Sequence, residues 1–191
     1  MTLIICPGVH DLVHTDRFIR NMDLKELLLG DFFVLPTQCY PPYSAAHVLH
    51  FWHQLDQSSR VRDSSNSPLI LIAFSAGVVG AMGAAWAWQH QGGCVEAMIA
   101  VDGWGVPRLG EFPLYRVSHD PWTHWSSACL GSGSFNFYAD PPVSHLHLWT
   151  FPHLSPGWAI QTLPKGKVVR TPTTAAQFIT QILAQHISRS S

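Results

Sequence analysis

One serine stands where an apolar run turns into a run of small residues. The segment Leu69–Trp88 reads LILIAFSAGVVGAMGAAWAW, with Ser75 at the junction. A hydroxyl placed between a buried strand and the helix that follows is held on a sharp turn, with its oxygen exposed. Strand and helix nearly touch there, so the residues two positions away on either side must be small. Ala73 and Gly77 meet that demand, and Gly80, Ala81, Gly83, Ala84 and Ala85 let the helix pack close to a sheet. The free N–H groups of the helix N-terminus, that of Ala76 first, could face a developing oxyanion. The plainer alternative is a serine that caps a buried helix.

A serine hydroxyl is a weak nucleophile until a histidine takes its proton and a carboxylate orients that histidine. Asp102 ends an apolar run in AMIAVDGWGVP, and His119 and Asp120 follow another in LYRVSHDPWTH. His124 lies further along in the same segment, and His153 stands in LWTFPHLSPGW. Each has a structural alternative: Asp102 as a turn former before glycine, Asp120 as a cap ahead of Pro121.

The elements that must position these groups are legible in the first two thirds of the chain. Strands are expected at Thr2–Cys6, Phe32–Leu35, Leu69–Ala73, Val95–Val101 and Leu114–Val117. Helices are expected at Thr15–Leu29, capped by Thr15 or Asp16 and ended by Gly30, at Ser44–Leu55, at Ala76–His90 and at Thr173–Ile187. The polar stretch Ser58–Ser67 reads as a loop. Beyond Val117 the pattern blurs through a Trp-, His- and Pro-rich segment to about Pro172. Alternating strands and helices give an α/β class with a mostly parallel central sheet flanked by helices, one domain over residues 1–191. In such sheets the functional residues lie beyond the carboxyl ends of the strands. That rule selects His10, Asp11, Ser75, Asp102, His119 and Asp120.

Ala73-Phe74-Ser75-Ala76-Gly77 resembles the G-x-S-x-G nucleophile elbow of the α/β-hydrolase family, with alanine in the first position as in some small lipases of that fold. The Pro7-Gly8-Val9-His10-Asp11 loop is similar to the family's HG or PG loop after the strand that precedes the first helix. Such a resemblance implies a minimal serine hydrolase, near the retinoblastoma-binding-type enzymes and the small bacterial lipases, with no large lid domain. It implies that the N–H groups of Ala76 and of Val9 or His10 form an oxyanion hole. It also implies the chain order serine, acid, histidine. Two assignments then fit. Asp102 is the acid with His119 as base and His124 as substitute, or Asp120 is the acid with His153 as base. The first is preferred because Asp102 follows the clearest strand in the second half. The expected activity is cleavage of an ester or thioester of a small or acyl substrate. The alternative is an inactive hydrolase-fold module used for binding.

Composition excludes several other classes. The chain has 191 residues, 47% hydrophobic and 12% charged, with a formal net charge of −1 and no basic run, so no nucleic-acid partner is expected. MTLIICPGVHD lacks a basic leader, and the long apolar run contains Ser75 and three glycines, so neither a signal peptide nor a membrane span is expected. Cys6, Cys39, Cys94 and Cys129 form no CxxC pair and read as reduced, mostly buried thiols of a cytoplasmic protein. The twelve histidines include His47, His50 and His53 at helical spacing, and His145 and His147 on one face if their segment is a strand. With no HExxH and no cysteine pair, no metal is expected; a metal-dependent enzyme is the further rival, which a chelator would expose. No GxGxxG follows a strand, so no nucleotide cofactor is expected, leaving a small-molecule substrate as the partner. Tyr138-Ala139-Asp140-Pro141-Pro142 with His145 reads as a loop fixed by its prolines, with the mouth of a pocket as the alternative. The aromatics from Trp104 to Trp158 could line an acyl or aromatic pocket or fill the core. Oligomeric state is left open.

Overall fold

A computed structural model describes residues 1–27, 32–57, 67–131 and 133–188. In chain order the elements are β1 (Thr2–Cys6), α1 (Leu12–Asn21), α2 (Leu24–Leu27), β2 (Phe32–Val34), α3 (Ala45–Gln57), β3 (Leu69–Phe74), α4 (Ala76–His90), β4 (Val95–Val101), β5 (Leu114–Ser118), α5 (Pro121–Ala128), β6 (Phe135–Ala139), α6 (His145–Thr150), β7 (Pro156–Thr162), β8 (Val168–Thr174) and α7 (Ala175–Ile187). They build one eight-stranded sheet in the order β2-β1-β3-β4-β5-β6-β7-β8. The strands from β2 through β6 pair in parallel, and β7 and β8 extend the sheet as an antiparallel hairpin. The chain is therefore α/β, with a mostly parallel sheet flanked by helices.

β3 is apolar at every position, and β1 and β4 at all but Thr2 and Glu96, because both faces are covered. Leu3, Ile5, Ile70 and Ile72 join Phe18 of α1, Trp149 of α6 and Phe178 of α7 in one core. Ile4, Cys6, Leu71 and Ala73 join Trp52 of α3 and the small residues of α4 in the other. Side chains alternate across the pleat, so each strand serves both cores. Burial in the second core pushes the Cys6 thiol up to about 12, leaving it an inert filler. The glycines of α4 permit its close approach: a Cβ at Gly77 would strike the carbonyl oxygens of Cys6 and Pro7, and one at Gly80 the carbonyl oxygen of Pro42.

Several expectations are corrected. The first helix starts earlier, at Leu12, because Asp11 accepts the Val13 N–H and caps it; it ends at Asn21, and α2 is a separate turn. The expected Gly30 stop and all but the last residue of the Ser58–Ser67 loop lie outside the described residues. The segment His145–Thr150 is a helix, so His145 and His147 do not share a strand face. The blurred region holds β6, β7 and β8. All four cysteines are free, but Cys39, Cys94 and Cys129 are exposed and only Cys6 is buried. Among the described residues no helix is long and apolar enough to cross a membrane.

Candidate functional site

The carboxyl ends of five neighbouring strands deliver the polar groups. Gly8 and His10 follow β1, Ser75 follows β3, Asp102 follows β4, His119 and Asp120 follow β5, and His145 follows β6. Ser75, His119, Asp120 and His145 line one open cleft of about 440 Å³, together with Trp104, Trp122, Thr123 and Ser126.

Ser75 has φ 53° and ψ −122°, a conformation that costs a non-glycine residue of order 1–3 kcal/mol. Its backbone N–H donates to Val101 O (2.9 Å), which ties the turn to the end of β4. Its side chain makes no capping bond to α4, although it sits at the N-cap. The bend is therefore held without a capping role for the hydroxyl. The loop after β1 lies against it: a Cβ on Gly8 would come within 3.0 Å of Ser75 Cβ and 2.9 Å of Phe74 O. Val9 projects into solvent, whereas His10 turns inward, its ring edge-on to Phe74 at 5.2 Å and its Nε2 3.1 Å from Thr15 Oγ1. Burial, and then the neighbouring His14 and His145, push His10 down to about 4, so it is neutral at pH 7.

Asp102 is the hub. Its side chain is fully buried and its backbone also takes a positive φ, 50°. Oδ1 accepts the His119 backbone N–H (2.9 Å) and lies 3.0 Å from His119 Nδ1. Oδ2 lies 2.8 Å from His145 Nδ1. One carboxylate thus orients two imidazoles. The other side of His119 is occupied too: Nε2 lies 2.9 Å from Asp120 Oδ2. Its hydrogen bond to Asp102, strengthened by the charges of Asp102 and Asp120, raises the His119 pKa above the usual histidine value. Asp120 also caps α5, its Oδ1 accepting the Thr123 N–H (2.6 Å).

His145 is fixed differently. Ser144 caps α6 by accepting the His147 N–H (3.2 Å), which sets His145 in the first turn. Its ring continues an aromatic stack that begins in the core: Phe18 on Trp149 (4.0 Å), Trp149 on Phe74 (4.6 Å), Phe74 on His145 (4.6 Å). Phe74 directly precedes Ser75. With Nδ1 held by Asp102, Nε2 remains to act at the cleft; no partner for it is found among the described residues.

The loop carrying Trp104 is anchored by a residue that the sequence did not single out. Arg116 of β5 is buried and donates to the carbonyl oxygens of Gly103 (3.2 Å), Val106 (2.8 Å) and Gly131 (2.8 Å). Its burial lowers its pKa.

Of the residues selected from sequence, Ser75, His119 and Asp120 share the cleft and Asp102 meets His119 beneath it, while Ala76 follows the serine in the chain and Val9 and His10 continue the loop whose Gly8 packs against it. His124 does not: it is buried against Trp125 and Tyr138, burial pushes it down to about 4, and its Nδ1 has no partner among the described residues. His153 stands outside the cleft in the short turn Pro152–Leu154, so Asp120 meets His119 instead. His145, read as part of a proline-fixed loop, lines the cleft. Placing a strand at FNFYA would have found it, because His145 follows the end of that strand. Asp102, His119 and His145 also bring donor atoms within 4.8 Å of one another, a set able to hold a metal ion that local spacing did not reveal. No family model matches the chain, and no curated protein is significantly similar to it.

Proposed function

We propose that the chain is a small serine hydrolase of the α/β-hydrolase class that cleaves an ester or thioester. Ser75 is the nucleophile, His145 the base and Asp102 the acid. The observation that carries this reading is the uncapped, strained Ser75 sharing a cleft with an imidazole whose Nδ1 is already held by a buried carboxylate. His145 replaces His119 as base because both ring nitrogens of His119 are engaged by carboxylates.

Ser75 Oγ attacks the carbonyl carbon while His145 Nε2 takes its proton. The imidazolium that forms is stabilised through Nδ1–H by Asp102. The tetrahedral oxyanion accepts hydrogen bonds from the N–H of Ala76 and of Val9 or His10. His145 returns the proton to the departing alkoxide or thiolate, and water, activated by the same imidazole, then frees the acid and restores Ser75. The exposed indoles of Trp104 and Trp122 beside the cleft suit an apolar or aromatic acyl or leaving group.

Hydrolysis of short-chain p-nitrophenyl esters by the purified full chain tests the reading. Turnover that disappears in Ser75→Ala supports it. A well-folded chain without turnover would favour the binding-module alternative.

A further inference from the structure

We propose that the Asp102–His119–His145 cluster is a binding site for a divalent transition-metal ion of the zinc type, and that the ion switches the serine site off. The donor set is two imidazole nitrogens and one carboxylate oxygen, the set such ions prefer. His119 Nδ1 and His145 Nδ1 approach Asp102 at 3.0 and 2.8 Å, and the donors of all three residues lie within 4.8 Å of one another. A tetrahedral ion with bonds of about 2.0–2.2 Å holds its ligands somewhat over 3 Å apart. Rearrangements of a few tenths of an ångström to about an ångström bring these donors to that spacing.

A second observation points the same way. His119 presents Nδ1 to the cluster and Nε2 to the Asp120 carboxylate at 2.9 Å. Metal-bound histidines characteristically hold their remote N–H on such an outer carboxylate, which fixes the tautomer and raises ligand basicity. Asp120 is itself held by the Thr123 N–H at the start of α5. Two carboxylates offset the charge of a dication, and His119 and His145 both line the cleft, through which an ion can reach them.

Occupation has a defined chemical consequence. An ion on His145 Nδ1 takes the lone pair there, so the ring proton must sit on Nε2. That nitrogen can then no longer accept the Ser75 proton. Asp102, bound to the ion, no longer orients the ring. Any proton displaced from an imidazolium passes to solvent, and no redox step is involved. Binding of the ion stands on the cluster alone; the blocking of catalysis rests on the serine-hydrolase reading.

The test is Zn²⁺ binding to the metal-free full chain by calorimetry, paired with fluorophosphonate labelling at zero and saturating Zn²⁺. The account expects one site, weakened at least 10-fold in His119→Gln and His145→Gln and roughly 10–100-fold in Asp120→Asn, the outer carboxylate. Ser75→Ala and His50→Gln, the latter a control for surface histidines, retain it. Circular dichroism confirms that each variant is folded. Absence of a site, or affinity unchanged from wild type in His119→Gln and His145→Gln, would overturn the proposal. Labelling abolished by Zn²⁺ supports the switch, whereas undiminished labelling or metal-stimulated ester hydrolysis would overturn it. Binding with the expected variant pattern but no labelling at any Zn²⁺ level would uphold the site and overturn the serine-hydrolase reading instead.

Discussion

Two carboxylate–histidine networks occupy opposite ends of the same pair of strands. At the carboxyl ends of β4 and β5, Asp102 holds His119 and His145 beside an open cleft. At the other end, Glu96 near the start of β4 lies 2.8 Å from His186 Nδ1, and Tyr115 near the start of β5 lies 2.9 Å from His186 Nε2. The ingredients are alike, but the exposures are reversed. In the first network the carboxylate is buried and the imidazoles reach the cleft; in the second the imidazole is fully buried and the Glu96 side chain is 27% exposed. His186 uses both nitrogens to tie α7 to the sheet. His145 has one nitrogen fixed and the other available beside a strained serine. Composition of a polar cluster therefore does not distinguish a structural clamp from chemistry. What separates the two clusters is the end of the strand, the direction of burial and the availability of one nitrogen, and the proposed function rests on those differences.

The two ends of the strand pair should differ most in their response to substitution at Ser75. On the proposed serine-hydrolase reading, Ser75→Ala lowers kcat/KM for an ester by roughly 10⁴-fold or more while Tm holds or rises, because alanine removes the proposed nucleophile without removing a cap. Steady-state kinetics and thermal melts check both halves. Asp102→Asn follows, with a loss of about 10³–10⁴-fold as the tautomer of His145 is no longer enforced. His119→Gln costs about 10–100-fold in kcat, since it removes one of the bonds that orient Asp102 and leaves His145 in place. A loss as large as that of His145→Ala would make His119 the base. At the far end, His186→Gln leaves kcat within about twofold but destabilises the fold by roughly 1–3 kcal/mol in urea denaturation. If it abolished activity in folded protein, the two ends would be coupled.

The smallest effect concerns pH. His124 and His10 sit near 4 in the folded chain because burial disfavours their charged forms, against about 6.5 when unfolded. The unfolded chain takes up protons first, so their contribution to stability is present above about pH 6.5 and is lost as pH falls towards 4. His124→Phe removes one of the two groups. It should flatten the decline in stability over that window by roughly 1–3 kcal/mol, measured by denaturation at several pH values. An unchanged slope would place the acid sensitivity elsewhere.

Legibility in the sequence followed burial. β3 is an unbroken apolar run, and β1 and β4 are broken only by Thr2 and Glu96, because both their faces are covered; the small residues of α4 record its contact with Pro7 and Pro42. β8 reads VVRTPTT because it is an edge strand largely in solvent, where Pro172 is tolerated and no alternation is enforced. β7 opens on Pro156-Gly157, which resembles a turn. Gly157 is required because a Cβ there would strike the Tyr138 carbonyl oxygen of β6. With β6 unplaced, His145 had no strand end to mark it. Ser75, Asp102 and His119 were legible because each directly follows a readable strand. The sharing of Asp102 by two histidines was not, since it joins residues 43 positions apart through the sheet alone.

Fluorophosphonate labelling of the metal-free full chain, read by intact mass and peptide mapping, with Ser75→Ala, His145→Ala and His119→Gln alongside, decides whether Ser75 is activated by His145. The expected result is a single adduct on Ser75, absent in Ser75→Ala and His145→Ala and retained, more slowly formed, in His119→Gln. No adduct on folded wild-type protein, or undiminished labelling in His145→Ala, would contradict it.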